Sequence, residues 1–246
     1  MDINEMHLAV QQGVDKINSF QADTLLPQEI DLELNKAIDK FINLKYGKNN
    51  IYGKGFEESQ KRIDDLRAVV VDKTIEVKYK EGYLHGTFKY ISDELPEDYR
   101  YLVKLLGTVC YKKDCSILTT AQQQGLSSFG LDERLTPFKF VQQDDLGVAL
   151  LDPFNTTKKT KPLVTLQQNY MCGFTNDIFI IKNVKLTYIK NPVKVSLSLD
   201  DVNASVDCEL AKHTHQEIVD MTINSILEGI SDPRYKTQQI ELGKNE

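Results

Sequence analysis

Hydrophobic periodicity constrains this chain more than any other feature, because the period changes at one point. Between Leu25 and Val71, two runs repeat apolar residues every three to four positions, which indicates two consecutive helices. From residue 73 onward the spacing becomes two, since Ile75, Val77 and Tyr79 alternate with polar residues, which indicates a strand. The chain therefore joins a helical start to a β-rich continuation.

The first helical run has clear signals at both ends. Pro27 suits the first helical position, and Glu29 and Asp31 place negative charge near the positive end of the helix dipole. Gly47 stands where a left-handed residue closes many helices. The second run opens at Phe56 and has a narrow apolar stripe, so both helices need neighbours that cover their apolar faces.

Two more helices are predicted towards the chain ends. Asp2 and Glu5 have the spacing of a capping box and begin a helix over residues 3–19. Thr214 and Glu217 have the same spacing and begin the last long helix, which has a wide apolar face.

Strands are predicted between these helices. Residues 99–112 favour a strand, although their leucine spacing also suits a helix. A short helix is expected over residues 144–151, and residues 113–137 have no clear period. Further strands are expected over four segments separated by Gly, Asn and Pro: residues 163–170, 177–181, 184–190 and 193–199.

These elements predict an α+β fold. A helical bundle, formed by the N-terminal helices and a C-terminal helix, would carry an inserted β-rich antiparallel unit. Residues 1–72 would form the helical hairpin or bundle, and residues 73–200 the inserted domain. Residues 201–246 would supply the C-terminal helix that returns to the bundle, followed by a polar tail.

Composition is that of an ordinary soluble globular protein, with 41% apolar and 27% charged residues. No apolar run approaches the ~20 residues that span a bilayer, and the first residues do not resemble a signal peptide. We therefore expect synthesis in a cytoplasm and no membrane partner. In that compartment, the four cysteines fit reduced thiols better than a disulfide framework.

Charge is distributed unevenly. Residues 1–72 have 9 basic and 13 acidic residues, residues 73–200 have 17 and 14, and residues 201–246 have 4 and 9. The three segments therefore carry −4, +3 and −5, which argues against a protein that works mainly by binding nucleic acid. Lys158, Lys159 and Lys161 could contact phosphate, although a solvated loop is the favoured interpretation.

Candidate catalytic and metal sites are weak. His213 and His215, with Cys208 and Glu209 nearby, would need further ligands for zinc, so local hydrogen bonding at the helix start is favoured. The chain contains none of the common nucleotide-binding, metalloprotease or serine-hydrolase motifs.

The cysteines give no stronger signal. Cys110 and Cys115 lack the spacing of a zinc knuckle, and a nucleophilic role would need a distant base such as His85. We predict no enzyme activity, no catalytic residue, no metal and no cofactor.

Several short blocks resemble structural proteins of crAss-like bacteriophages, which are short-tailed phages of gut bacteria. The resemblance covers both ends of the chain well and the middle loosely. The matching blocks are LPQEID at 26–31, NKA at 35–37, FI at 41–42, FEESQKRIDDLR at 56–67, HQEIVD at 215–220, LEGI at 227–230 and DPRY at 232–235.

This resemblance implies a virion structural protein, a ring or adaptor subunit of the head-to-tail connector. Such a ring is stacked below the portal in the neck and tail, is typically twelvefold and surrounds the DNA channel. The implied partners are copies of the same chain, the portal protein and other ring and tail proteins. Genomic DNA would pass through the channel without sequence-specific binding. The protein would be made and assembled in the host cytoplasm and reside in the virion.

Five residues are predicted to lie in subunit interfaces. Arg234 and Tyr235 are of the types that most often anchor interfaces, and Phe56, Arg62 and Arg67 lie in the long matching block. Two other function classes remain open. One is a phage nucleic-acid-binding or regulatory protein without catalytic activity, and the other is an enzyme such as a nuclease or peptidoglycan hydrolase.

Overall fold

An eight-stranded sheet is the largest element that the described residues form in this computed structural model. The strand order is β4-β3-β8-β1-β2-β7-β6-β5, and every neighbouring pair is antiparallel except β5 with β6. The strands are β1 Val70–Gly82, β2 Thr87–Ser92, β3 Tyr99–Tyr111, β4 Glu133–Pro137, β5 Lys139–Phe140, β6 Leu163–Gln167, β7 Tyr170–Asn176 and β8 Phe179–Lys190.

Five α-helices occur in the described residues, which are 1–17, 25–47, 59–84, 86–112, 133–198 and 204–229. They are α1 Ile3–Ile17, α2 Pro27–Tyr46, α3 Gln60–Leu66, α4 Leu146–Leu151 and α5 His215–Gly229. Short 3-10 turns at Arg67–Val69 and Lys212–Thr214 follow α3 and precede α5. Across these ranges, no helix has both the length and the apolar character that crossing a membrane requires.

Contacts divide the chain into two units. The sheet unit consists of Val70–Lys190, and the terminal unit consists of Met1–Val69 together with Asn191–Glu246. Helices α1, α2, α3 and α5 belong to the terminal unit, whereas α4 and all eight strands belong to the sheet unit.

The predicted helical bundle with an inserted antiparallel β unit is wrong as a description of this fold. The chain has a mixed α/β fold dominated by the eight-stranded sheet, and β5 and β6 pair in parallel. The error arose because periodicity describes single segments, whereas strand pairing joins segments that are distant in sequence. The helical stripes between Leu25 and Val71 are regular, but they do not determine which layer dominates the fold.

The local predictions at helix starts are confirmed for α1 and α2. Asp2 and Glu5 form the reciprocal capping box, since each backbone N–H donates to the other's carboxylate, at 3.1 and 2.7 Å. Pro27 is the first residue of α2, and the backbone N–H of Leu26 donates to Glu29 Oε2 at 2.9 Å. These contacts span only three residues, so sequence spacing is sufficient to identify them.

The end of α2 at Gly47 and the start of α5 after Thr214 are confirmed, but the geometry predicted at each of them is wrong. Gly47 is extended at φ −74° rather than left-handed, although its N–H still donates to the Asn43 carbonyl at 3.0 Å. Helix α5 begins directly after Thr214, but Thr214 does not form the predicted capping box with Glu217, because its backbone N–H donates to the Ala211 carbonyl at 2.8 Å. The carboxylate of Glu217 instead accepts a hydrogen bond from Lys45, which is distant in sequence.

Some strand boundaries also differ from prediction. The strand predicted over residues 163–170 is interrupted by the turn between β6 and β7, where Gln168 has a positive φ of 50°. The two strands predicted over 177–181 and 184–190 are one continuous strand, β8. The strand predicted over 193–199 is only an isolated bridge between Ser196 and Val206 in the described residues. The strand interpretation of residues 99–112 is confirmed as β3.

The core of the sheet unit gathers side chains from both halves of the sheet. Leu105 of β3 and Leu186 of β8 share one buried cluster with Val164 of β6 and Met171 of β7. Because β3 and β6 lie near opposite ends of the strand order, the sheet curves so that one face encloses the cluster. Tyr188 is among the largest fully buried side chains.

Helix packing forms the terminal unit in the described residues. Helix α5 packs on both α1 and α2, and its buried side chains follow the helical spacing. Gly13 lets α1 lie close to α5, because a Cβ atom at this position would lie 2.2 Å from Ile223 Cδ1. The long side chain of Ile223 therefore occupies the space above this glycine.

Candidate interaction surface

Helix α4 is short and apolar on more than one face. Its sequence is LGVALL, in which Leu146 and Leu150 are buried four residues apart. These two leucines pack in a small core cluster with Leu163 of β6 and Phe174 of β7. Because one face already fills the core, Val148 and Leu151 on the other side of the helix face outward.

The outward face of α4 and the turn that follows it present three large apolar side chains. Val148 is 72% exposed, Leu151 is 60% exposed and Phe154 is 86% exposed. We call these three residues the α4 surface. Scattered exposed leucines are common in proteins, but neighbouring apolar side chains that include a nearly fully exposed phenylalanine are typical of a contact site.

Hydrogen bonds fix the turn that carries Phe154. The Phe154 N–H donates to Asp152 Oδ1 at 2.9 Å, and Asn155 Nδ2 donates to Asp152 Oδ2 at 2.6 Å. The bond from the Phe154 backbone and the bond from Asn155 hold the pKa of Asp152 below its ordinary value. Lys158 Nζ also donates to the Phe154 carbonyl at 3.2 Å. The exposed ring therefore projects from a backbone that is held in place.

Lys158, which contacts the Phe154 backbone, belongs to a loop with two further lysines. Lys158 and Lys161 form an isolated bridge in the loop after α4, and Lys159 Nζ lies 3.3 Å from the centroid of the Tyr111 ring. The predicted alternative, a phosphate contact by this lysine loop, stays a prediction. The engaged side chains of Lys158 and Lys159 show that this loop is structured by contacts within the chain.

Arg62 lies inside the terminal unit and is only 6% exposed. Its guanidinium donates to the backbone carbonyls of Leu44 and Lys45, at 3.0 and 3.2 Å, near the end of α2. Unpaired carbonyls are a property of every helix C-terminus, and arginine satisfies two of them here. This contact explains why arginine occurs at this position, while its interface role stays a prediction.

The other predicted interface residues differ in their placement. Arg67 is exposed, and its guanidinium lies 3.7 Å from Asp64 Oδ1. Phe56, Arg234 and Tyr235 lie outside the described residues. The interface predictions for these four residues therefore stay predictions.

A buried charged cluster lies beside Arg62. Lys45 Nζ is 2.6 Å from Glu217 Oε1 and 3.8 Å from Asp65 Oδ2, and the Asp65 side chain is 1% exposed. His213 Nε2 lies 2.9 Å from the other oxygen of Asp65. The cluster connects α2, α3 and the start of α5, so its groups hold helices together within one chain.

The two histidines considered as metal ligands contact different partners. His213 contacts Asp65, whereas the ring nitrogens of His215 lie 2.9 and 3.0 Å from the carbonyl oxygens of Met1 and Leu210. Throughout the described ranges, no three His, Cys, Asp or Glu side chains form a group suited to a metal ion. Only the contact of His215 with Leu210 is the local hydrogen bond that the sequence predicted, because Asp65 and Met1 are distant in sequence from the histidines they contact.

The cysteine candidates are not brought together by any described contact. Cys110 is a buried thiol in β3. Cys115 and His85, the other residues weighed for zinc or nucleophilic chemistry, lie outside the described residues.

Sequence reasoning identified α4 as a helix but missed its outward surface. The available signal was the absence of polar residues from the run LGVALL, since a half-buried surface helix ordinarily alternates apolar and polar faces. Phe154 was harder to identify, because a single phenylalanine after Asp152-Pro153 is equally compatible with burial.

Comparison with known proteins does not identify the chain. No protein family matches it, and no curated protein matches it.

Proposed function

We propose that this protein is a structural subunit of the ring-shaped head-to-tail connector of a crAss-like phage. Its function would be to join neighbouring proteins of the neck and tail around the DNA channel. The α4 surface is the observation that carries the proposal, because its three exposed apolar side chains favour a role in protein–protein contact.

The occupant we propose for the α4 surface is a second copy of the chain. The sheet unit, residues 70–190, has 16 basic and 14 acidic residues, which gives +2. The terminal unit has the remaining 14 basic and 22 acidic residues, which gives −8. The sheet unit of one copy would therefore attract the terminal unit of the next copy.

Such a contact uses two different surfaces and so repeats in one direction. Repetition of a head-to-tail contact closes into a ring when the rotation between copies divides a full turn. The phage resemblance implies twelve copies. The lysines in the loop after α4 would then meet the acidic neighbour, and complementary charge would favour this orientation over others.

The positions of the phage-like sequence blocks also support the proposal. Asp65 belongs to the block at 56–67 and Glu217 to the block at 215–220, yet both carboxylates lie near Lys45 Nζ. Blocks that are far apart in the sequence thus contribute to one packed region. A shared fold element would explain why both blocks resemble the same class of protein.

The experiment that tests this function is quantitative mass spectrometry of purified particles of the phage that encodes the chain, with the portal protein as internal standard. We expect about one copy of this chain for each portal subunit. Absence of the chain from purified particles would contradict the proposal, and so would a trace amount far below that of the portal.

A gel-shift assay with duplex DNA at moderate salt tests the nucleic-acid-binding alternative. The purified chain should leave the DNA unshifted, because the net charge of −6 opposes contact with phosphate. A shift at micromolar protein, weakened by added salt, would favour the alternative.

A further inference from the structure

A cavity of about 600 Å³ lies on the sheet unit, beside strands β1, β2, β6 and β7. Its volume lies within the range of roughly 300–1,000 Å³ that is usual for small-molecule sites. Lys80 of β1 and Lys89 of β2 line it together with side chains from β6, β7 and the segment before α4. The α4 surface is not part of this lining.

Two irregular backbone positions border the cavity. The pairing of β1 with β2 shifts register between Tyr79 and Glu81, so Lys80 is the extra residue of a β-bulge. Gln168, in the turn between β6 and β7, has φ 50°, a conformation that costs a non-glycine residue roughly 1–2 kcal/mol. Bulges redirect side chains, and strained backbone positions concentrate at binding sites.

The turn that holds Gln168 is fixed by contacts of its next two residues with the segment after β2. The Leu95 N–H donates to the Asn169 carbonyl at 2.9 Å, and the Tyr170 hydroxyl donates to Glu94 Oε1 at 3.0 Å. A glycine would adopt the positive φ without steric cost. The presence of glutamine instead places a side-chain amide at the cavity rim.

The polar groups of the lining favour a negatively charged ligand. Lys80 and Lys89 are cationic, and the residues described in the lining include no aspartate or glutamate. Gln167 Oε1 accepts from Lys89 Nζ at 3.1 Å and from Cys172 Sγ at 3.2 Å, so its amide nitrogen is the end turned away from these donors. Burial raises the pKa of the Cys172 thiol, which therefore stays neutral beside an anion.

We propose that this cavity binds a small organic anion with at least two carboxylate or phosphate groups. Lys80 and Lys89 would each bind one anionic group, and the amides of Gln143 and Gln167 would donate to its remaining oxygens. Two separate cationic side chains on neighbouring strands favour a ligand with more than one anionic group. This inference is independent of the proposed ring function.

Isothermal titration of the full chain with citrate and with acetate tests the proposal. We expect saturable binding of citrate that is at least tenfold tighter than binding of acetate, because only citrate can place a separate carboxylate on each lysine. No saturable binding of citrate would overturn the proposal, and so would equal affinity for the two anions.

Substitutions locate the site. Lys80→Met and Lys89→Met should each weaken citrate binding about tenfold, whereas Lys73→Met, on the same strand as Lys80 and also exposed, should leave it unchanged. Thermal melting without ligand checks that each variant is folded. If Lys89→Met does not fold, Lys80→Met at the exposed bulge decides the outcome. Equal citrate affinity in Lys80→Met and wild type would overturn the assignment.

Discussion

Lys45 Nζ lies 2.6 Å from Glu217 Oε1 and thereby joins the last turn of α2 to the first turn of α5. The lysine side chain is 5% exposed, and Asp65, its second carboxylate neighbour at 3.8 Å, is 1% exposed. Lys45 therefore pairs with the partly exposed carboxylate of Glu217 and lies near the buried carboxylate of Asp65, whose other oxygen contacts His213. Its removal would leave negative charge buried without compensation.

We expect Lys45→Met to reduce the free energy of unfolding by about 3 kcal/mol, the usual cost of removing one partner from a buried ion pair. Lys36→Met is the matched control, because Lys36 lies on the same helix, pairs with Glu33 and is 59% exposed. That change should cost less than about 1 kcal/mol. Urea denaturation of both variants measures the difference, and equal losses would refute the role of Lys45.

Gly13→Ala tests the close packing of α1 on α5. The added Cβ would lie 2.2 Å from Ile223 Cδ1 and 2.9 Å from Ile223 Cγ1, so the isoleucine or the helix must move. We expect a loss of about 1–3 kcal/mol in unfolding free energy.

The control for this change is Gly147→Ala in α4, where the added Cβ would meet nothing within 4 Å. Alanine forms helices better than glycine, so the free energy of unfolding of this variant should rise by up to about 1 kcal/mol. Thermal melting of the two variants should therefore shift in opposite directions. A Gly13→Ala variant that melts no lower than wild type would contradict the packing described for α1 and α5.

Tyr188 stabilises the fold at neutral pH, and this stabilisation should be lost at alkaline pH. Burial raises the pKa of Tyr188 to about 12, and the hydrogen bond that its hydroxyl donates to Asp98 at 2.9 Å acts in the same direction. In the unfolded chain a tyrosine ionises near pH 10. The stabilisation is therefore complete below pH 10 and is lost as the pH rises towards 12.

Between pH 10 and pH 12, the free energy of unfolding of the wild type should fall by about 2–3 kcal/mol more than that of Tyr188→Phe. The reason is that a shift of one pKa unit corresponds to about 1.4 kcal/mol. Below pH 10 the phenylalanine variant should be less stable by about 1 kcal/mol, because it lacks the hydrogen bond to Asp98. Urea denaturation of both proteins across the interval measures these differences. If both proteins lose the same unfolding free energy as the pH rises, Tyr188 is not the group responsible for the alkaline loss.

Sequence alone predicted the features of this fold that depend on near neighbours. The Asp2 and Glu5 capping box and the start of α2 at Pro27 involve residues within one helical turn, so their spacing was sufficient. The Lys45–Glu217 contact joins residues 172 positions apart, and no local pattern indicates it. The sheet that dominates the fold depends on pairings of the same long-range kind.

The candidate sites also depend on long-range packing that no local sequence pattern indicates. Glutamine is uncommon at the positive φ that Gln168 adopts, so the turn between β6 and β7 carried no recognisable signal. Arg62 was predicted as an interface residue within the matching block at 56–67, and its contacts within the chain emerge only when α3 is packed beside the end of α2. The exposure of Phe154 likewise depends on Leu146 and Leu150 filling the core behind it.

Phe154→Ser tests the α4 surface. Because the ring is 86% exposed, its removal should change the unfolding free energy by no more than about 0.5 kcal/mol. If the surface contacts a neighbouring copy, incorporation into phage particles should fall several-fold, as measured by quantitative mass spectrometry. Leu8→Ser is the control, since Leu8 is 56% exposed on α1 and lies outside the α4 surface. Normal incorporation of Phe154→Ser would show that the α4 surface is not part of the assembly contact.

Electron cryomicroscopy of the neck in purified particles of the encoding phage tests the central claim most directly. The account predicts a ring between portal and tail whose subunit density fits the eight-stranded sheet, with Phe154 buried against the terminal unit of the adjacent copy. A neck in which no ring accommodates this fold would contradict the account, as would a ring in which Phe154 faces solvent.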